Sequence, residues 1–327
     1  MSQSGSAPTL EDYAVPPIPP PTSVSFQAFR NRVLAPLFID DLARRVAVPR
    51  DELRTMFAQS VVESEQTLRV LAGLVLTEAS RIIEIGAGLG LTSSYLAGCG
   101  FEVTALEPGG IGFEHYPTVA AEIARLLGTE YRVLSIGAEE LEPATHGQYS
   151  LIYSNNVIEH VSNPEAVFRA LTSVLAAGGL MVHSCPNYSI PYEPHFGKPL
   201  LPGRPRSTAR FLPRSVRKTD VWASLNFIRA RDLSAIADEL ALTVRFRPAA
   251  LATSLERLET DTEFRGRHRL LAVVATIMRR VGLVRLLRKL PPTWSTPMDF
   301  IMWRATSIDD WRVAQWLGRG AADSRTS

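Results

Sequence analysis

Between residues 80 and 185 short apolar runs alternate with stretches of helical period. RIIEI (81–85), EVTALE (102–107), YRVLSI (131–136), YSLIYSN (149–155) and LMVHSC (180–185) read as strands. Gly90 to Gly98 and residues 117–127 read as helices. In SNPEAVFRALTSVLAAGG a third helix opens at Asn163-Pro164-Glu165 and stops at Gly178-Gly179. A helix over 231–240 and the strands LTVRFRP and MDFIMWR (298–304) extend the alternation to seven strands. Strands joined through helices of this length require right-handed crossovers, so the pattern predicts an α/β fold with a mostly parallel seven-stranded sheet and helices on both faces.

Flanking segments have other periods. From Phe26 to about residue 78 apolar residues recur at three- and four-residue spacing (Val33, Leu37, then Leu68, Leu71, Leu74), and PRDELRTMF opens a helix with Pro49 and early acids. This predicts an N-terminal helical cap over 26–78. Residues 1–25 carry prolines at 16, 17, 19, 20 and 21 and are expected to form a disordered tail. The main domain is expected over 79–305, interrupted by a Pro-, Arg- and Ser-rich insertion at about 186–222 and a helical insertion at about 250–296. Residues 306–327 are expected to be a C-terminal tail.

The turn EIGAGLG places Gly86, Ala87, Gly88 and Gly90 between a strand and a helix. Glycines there allow positive φ and close approach of a ligand to backbone amides at a helix start. Glu107 lies at the end of the next strand, 17 residues after Gly90, where a carboxylate can accept hydrogen bonds from both ribose hydroxyls. No Lys-Ser/Thr pair follows the glycines, which excludes an ATP P-loop. The spacing is G-x-G-x-G, and Leu91 stands where the dinucleotide fingerprint has its third glycine.

With Glu84 two residues before the first glycine, this stretch resembles the first motif of the class I S-adenosylmethionine-dependent methyltransferases (the type 11/23-like group), E/D-x-G-x-G-x-G. The resemblance continues through SIGAEEL (135–141), YSLIYSNNVIEHVSNP and LAAGGLMVHSCPN, and covers about residues 80 to 187. It implies a Rossmann-like fold with S-adenosyl-L-methionine as cofactor. It further implies cofactor contacts from Glu84, Gly86, Ala87, Gly88, Gly90, Glu107 and Pro108, with Ala138 and Glu139 beside the adenine and Asn155 or Asn156 near the amino group. Ser150 departs from the family's usual Asp. Some quinone-type O-methyltransferases of this group use an acidic residue three before the Glu-His pair to help bind a metal. Here that residue is Asn156, so no metal is expected.

Methyl transfer to a hydroxyl needs alignment and usually a base, worth about 10²–10⁴-fold. The base should lie at the carboxyl ends of the strands. The segment CPNYSIPYEPHFG leaves that edge carrying Tyr192, Glu193 and His195, which face either an acceptor or water. His160 either faces substrate or braces the turn before Asn163. His183, inside a strand, is expected to pack in the core. Four residues, His195, His160, Glu193 and Tyr192, are the candidate catalytic set.

Composition adds boundaries. A chain of 327 residues with 46% hydrophobic and 21% charged residues can bury a sizeable core. Cys99 and Cys185 have neither metal-ligand nor disulfide-framework spacing, which suits a reducing cytoplasm. The N-terminus lacks a signal peptide's apolar core, and the run LLAVVATIM is too short to span a bilayer. Net charge is +2, yet 203–218 holds six Arg/Lys and no acid, and RRVGLVRLLRK (279–289) is basic and apolar. These are solvated flanks, or they hold an anionic substrate or rest peripherally on the inner face of a membrane. Few aromatics interleave them, so nucleic acid is not expected as a partner. The expected activity is O-methylation of a sugar, glycolipid or small natural-product acceptor. A cofactor-binding scaffold without catalysis and an NAD-dependent oxidoreductase are the alternatives.

Overall fold

Strand β1 (Arg81–Ile85) is an apolar run because both faces of the sheet are covered: its last four residues are all buried. In a computed structural model that describes residues 18–72, 74–76, 80–109, 114–248, 265–266, 269–280, 290–305 and 310–318, β1 lies near the middle of a seven-stranded sheet. The other members are β2 (Glu102–Leu106), β3 (Arg132–Leu134), β4 (Tyr149–Asn155), β5 (Leu175–Cys185), β8 (Leu242–Phe246) and β9 (Met298–Arg304). The order is β3-β2-β1-β4-β5-β9-β8. The first five strands are mutually parallel, and β9 runs antiparallel to both its neighbours. The Rossmann-like, mostly parallel architecture predicted from the alternation is therefore the fold observed.

The chain moves outward from β1 to β2 and β3, then returns to place β4 on the other side of β1. The β1/β4 boundary is thus a topological switch point, where open α/β sheets leave a crevice at their carboxyl edge. The register keeps that edge level: Ile85 pairs with Leu106 and Ser154, and Asn155 with Ser184. Residues just past β1, β2, β4 and β5 consequently emerge together.

Three helices precede the sheet: α1 (Val24–Val33), α2 (Pro36–Ala43) and α3 (Arg50–Leu71). Helix α3 carries Asp51 and Glu52 in its first turn, favourable to the helix dipole, and buries Leu53, Phe57, Val61, Leu68 and Leu71 at helical spacing. These apolar faces share a core with Leu89 and Leu91 beside the glycine turn and with Val119 and Ile123 of α5 (Tyr116–Leu127). The cap is therefore packed onto the turn itself. One sheet face is covered by α6 (Pro164–Ser173) and α7 (Ala230–Glu239), and the other by α4 (Leu91–Gly98) and the end of α3.

Several boundaries correct the sequence expectations. Residues 18–25 are ordered, not tail: Ile18 is buried, its N–H donates to Leu74 O at 3.2 Å, and Ser23 caps α1. An apolar side chain between prolines found a place in the core. The 306–327 segment is not all tail either, because 310–316 forms a helix, α9 (Asp310–Trp316), following α8 (Arg269–Arg280). The Trp316 indole is buried and donates to Val70 O at 2.7 Å. Helix α6 ends at Ser173, and β5 begins at Leu175 and includes, with a shift in its register against β4, Gly178-Gly179, the pair that the sequence pattern marks as a helix stop. Gly179 is required there by crowding: a Cβ would lie 3.0 Å from Tyr149 O. Strand β3 is only three residues long.

The 186–222 insertion is structured. It contains a small hairpin, β6 (Tyr192–Glu193) with β7 (Lys198–Pro199), and short helical turns, and its Tyr188, Leu200 and Trp222 form an apolar cluster with Leu225 and Phe227 just beyond it. Residues 1–17, most of 250–296 including 281–289, and 319–327 lie outside the described residues. Among the described residues no helix is long and apolar enough to cross a membrane.

Arg247 ties the C-terminal helix to the cap: its guanidinium donates to Trp316 O, Arg69 O and Val70 O and stacks 4.1 Å from the Trp316 ring centroid. Trp316→Ala should lower unfolding free energy by about 3–5 kcal/mol, read as a reduced urea midpoint. Exposed Gln315→Ala should leave the midpoint unchanged.

Candidate functional site

The turn after β1 has three alternate residues at positive φ: Gly86 (+69°), Gly88 (+54°) and Gly90 (+66°). Two of them are needed for different reasons. A Cβ at Gly86 would stand 2.4 Å from a methyl of Val157, so glycine lets the β4 loop cross the turn. At Gly88 a Cβ would meet nothing nearer than the Tyr116 ring at 3.9 Å. That open backbone face is what a ligand would use.

Gly90 is the N-cap of α4 and has no side chain to offer. Glu84 from β1 supplies the cap in its place, with a carboxylate that accepts from Ser93 N at 3.1 Å and Ser93 Oγ at 2.5 Å. Burial pushes the Glu84 carboxyl up to about 7, with the Ser93 hydrogen bonds pulling the other way. Glu84, expected to touch the cofactor, is thus placed as a brace of the turn.

Glu107, at the end of β2, is also nearly buried, and each of its oxygens accepts a backbone amide: Gly88 N at 2.8 Å and Gly109 N at 3.1 Å. Each oxygen retains a lone pair for a hydroxyl donor. Pro108 beside it is exposed. Past β3, Ala138 is buried at the start of a 3-10 turn, and the Glu139 carboxyl lies over Gly137. Past β4, Asn156 adopts φ +55° with its N–H bonded to Ser184 O, while the Asn155 side-chain amide nitrogen is buried without a partner. An orphaned buried donor in the crevice at the β1/β4 switch is a group that a bound molecule would satisfy. These residues fit an adenosyl cofactor with ribose at Glu107.

The loops after β4 and β5 converge on a second group. His195 Nδ1 lies 2.6 Å from Glu193 Oε1, and Glu193 Oε2 accepts Phe196 N at 2.8 Å. The Tyr188 hydroxyl also donates to Glu193, at 3.2 Å. His195 Nε2 lies 3.7 Å from Glu159 Oε1, His160 Nε2 lies 4.0 Å from the same oxygen, and the two imidazole centroids are 5.2 Å apart. His160 Nδ1 is held by Ser224 Oγ at 2.8 Å. Glu159 is fully buried, and neither of its oxygens has a hydrogen-bond partner.

Burial and pairing set the charges. Burial pushes Glu193 up, but the His195 hydrogen bond and charge together with the Phe196 amide outweigh it, and the carboxyl ends below its ordinary value. Burial pushes His195 down, yet Glu193, then Glu159 and Glu63 from α3, bring it above its ordinary value. Burial raises Glu159 to about 7, and burial lowers His160 to about 4. Glu193 is thereby held ionised beside His195, with a neutral imidazole at His160 and a Glu159 carboxyl poised near neutrality. The donor atoms of Glu159, His160 and His195 all lie within 4.8 Å of one another, a spacing a divalent cation would also accept.

His195, His160 and Glu193, three of the four candidate catalytic residues, are therefore brought together. Tyr192 sits in β6 opposite Pro199, and burial, then the Glu193 charge, pushes its phenol to about 12. The phenol bonded to Glu193 is that of Tyr188. Glu159 and Tyr188 carried no predicted role, although Glu159 precedes His160 and Tyr188 lies in the same loop as Glu193; their burial was the missing information. His183 is a core residue as expected, fully buried between Phe168 and Phe300 with Ser154 Oγ 2.7 Å from its Nδ1.

Residues 46–245 match a family model described as a methyltransferase domain. An uncharacterised protein of Mycobacterium tuberculosis (strain ATCC 25618 / H37Rv), Rv1509, is 33% identical over 210 residues, covering 62% of this chain and 70% of that protein. A ubiquinone biosynthesis O-methyltransferase of Caulobacter sp. (strain K31) is 35% identical over 105 residues, 32% of this chain and 40% of the relative. This chain thus spans less than half the length of that relative. The solved phosphoethanolamine N-methyltransferase 2 of Haemonchus contortus, in complex with S-adenosyl-L-methionine, aligns over 86% of this chain and 59% of its own with 15% identity and a TM-score of 0.45.

Two outcomes test this geometry. Glu107→Ala should weaken S-adenosylhomocysteine binding by about 1–3 kcal/mol through lost charge-assisted hydrogen bonds, measured by calorimetry; an unchanged Kd would displace the ribose from Glu107. Because Glu84 keeps its proton in the folded state to about 7 but releases it near 4.5 when unfolded, its contribution to stability is full below 4.5 and is lost as pH rises through 7. Glu84→Gln should flatten that fall in a series of denaturant titrations.

Proposed function

The chain belongs to the class I methyltransferases and uses S-adenosylmethionine, and from that premise we propose that it methylates a hydroxyl oxygen of a sugar, glycolipid or small natural-product acceptor. The observation that carries this reading is the Glu193–His195 pair, Nδ1 to Oε1 at 2.6 Å, on the loop leaving β5 at the carboxyl edge of the sheet. When bound, the cofactor supplies an electrophilic methyl group.

The chain's own residues then act in distinct ways. Glu193 holds Nδ1 and so leaves Nε2, which lies 3.7 Å from Glu159 Oε1, as the proton acceptor. With the cofactor bound, His195 Nε2 would take the proton of the acceptor hydroxyl, and Glu193 would stabilise the resulting imidazolium. Tyr188 and the Phe196 amide hold the carboxylate in place. His160 stays neutral and lines the same space. Support for oxygen as the attacked atom also comes from the named activity of the Caulobacter relative.

His195→Ala should lower turnover by about 10²–10⁴-fold while leaving S-adenosylhomocysteine affinity intact; retained turnover would sink this reading. Only neutral His195 can accept the proton, so the rate should fall as pH drops through a value above the ordinary 6.5. Glu193→Gln removes the main influence raising His195, and should move that acid limb to lower pH in addition to slowing turnover. A second reading follows from the two unpartnered oxygens of buried Glu159, which a divalent cation would satisfy. Turnover abolished by EDTA and restored by added divalent ion would favour it, while full activity in EDTA would leave the proton-transfer reading alone.

A further inference from the structure

The 186–222 insertion, together with residues 226–231, builds a cavity of about 600 Å³ that the proton-transfer chemistry does not use. Fifteen residues line it, among them Arg204, Arg206, Arg229 and Arg231 and no acid. Two of these guanidiniums are already engaged. Arg229 is held by Asp232 through two hydrogen bonds of 2.8 and 3.0 Å, and Arg231 lies 3.7 Å from the same carboxylate. Arg204 and Arg206 have no carboxylate partner among the described residues.

Their positions are nonetheless fixed by the surrounding backbone. Arg204 N–H donates to Leu201 O, Ser207 N–H donates to Arg204 O, and Thr208 Oγ1 accepts Leu201 N–H at 2.9 Å. Arg206 lies over the Phe227 ring at 5.9 Å. Phe227 is a buried non-glycine residue at φ +61°, locked between Tyr188 and Trp222 with ring centroids 5.0 and 5.6 Å away. Asn226, in the same wall, donates its side-chain amide to Ile158 O and Val161 O. A concave, apolar-floored pocket with four arginines, two of them without a carboxylate partner among the described residues, is arranged for a multiply charged anion, and planar guanidiniums suit phosphate oxygens.

The pocket adjoins the proton-transfer group through two shared residues. Tyr188 lines the cavity while its hydroxyl bonds Glu193, and Asn226 lines it while its N–H donates to Glu159 O at 2.8 Å. We propose that this arginine pocket binds a phosphate-bearing part of the methyl acceptor, with Arg204 and Arg206 as the phosphate ligands. The identification of the anion as part of the acceptor rests on the proposed hydroxyl methylation; the anion site itself does not.

The test is binding by the full-length chain to two probes, inorganic pyrophosphate and vesicles of phosphatidylglycerol in phosphatidylcholine. Comparison is made with Arg204→Gln/Arg206→Gln, the single Arg206→Gln, and Arg217→Gln, an exposed basic residue outside the cavity. S-adenosylhomocysteine affinity reports that each variant is folded. The expected result is pyrophosphate binding that weakens about 10-fold in the single and about 100-fold in the double variant, with Arg217→Gln unchanged. The same pattern seen with vesicles and not with pyrophosphate would support the site with a lipid phosphate as the source. Binding insensitive to the double variant, or no binding to either probe, would overturn the proposal. Retained turnover in His195→Ala would remove the hydroxyl reading and leave this binding result standing, so the two failures are separable.

Discussion

A carboxylate that caps a helix from a neighbouring strand is the interaction on which the site depends. A helix start normally takes its cap from the preceding side chain, and here the N-cap is glycine. Glu84 reaches from β1 to the third amide of α4 and to the Ser93 hydroxyl, satisfying that end of the helix from below. The turn is then free to keep its backbone bare at Gly88. Had the cap come from a side chain at position 90, the Tyr131 hydroxyl would have been in its way, since even a Cβ there would lie 2.5 Å from it.

The level carboxyl edge of the parallel sheet converts this local device into a site. Matching strand ends place the glycine turn, Glu107, the Asn155-Asn156 pair and the loop from Asn187 to Phe196 along one margin. The cap helices share a core with Leu89 and Leu91, so packing in α1–α3 bears directly on the turn. Glu63 of α3 also contributes to the potential at His195. The insertion after β5 carries its own apolar cluster, which lets a polar loop hold a fixed shape outside the main core. The same ring packing supports the arginine cavity on one side and Glu193 on the other.

Electrostatics within the second group follow from unequal burial and unequal partners. Glu193 has three donors and stays ionised; Glu159 has none and is raised toward neutrality by burial. His195 sits between them and is raised, while His160, held by a neutral hydroxyl, is lowered. Two carboxyls and two imidazoles are thereby driven apart in proton affinity by their surroundings, the arrangement in which acid and base roles can be divided.

Period and punctuation were enough to determine the alternation of strands and helices, the crossover hand, the glycine turn and the carboxylate at the end of β2. These are local signals: a buried parallel strand is a short apolar run, and a turn at positive φ calls for glycine. Tertiary structure alone decided what depends on contacts between distant segments. Ile18 and Trp316, in stretches that read as tails, are buried because they pack and hydrogen-bond at Leu74 and Val70. Glu84 serves the turn and Glu159 stands unpartnered because burial and partner count are properties of the packed chain. The pairing of His195 with Glu193 was near in sequence and legible as a cluster, but its approach to Glu159 and His160 came from two loops about 35 residues apart meeting at one sheet edge. No period in either loop encodes that meeting.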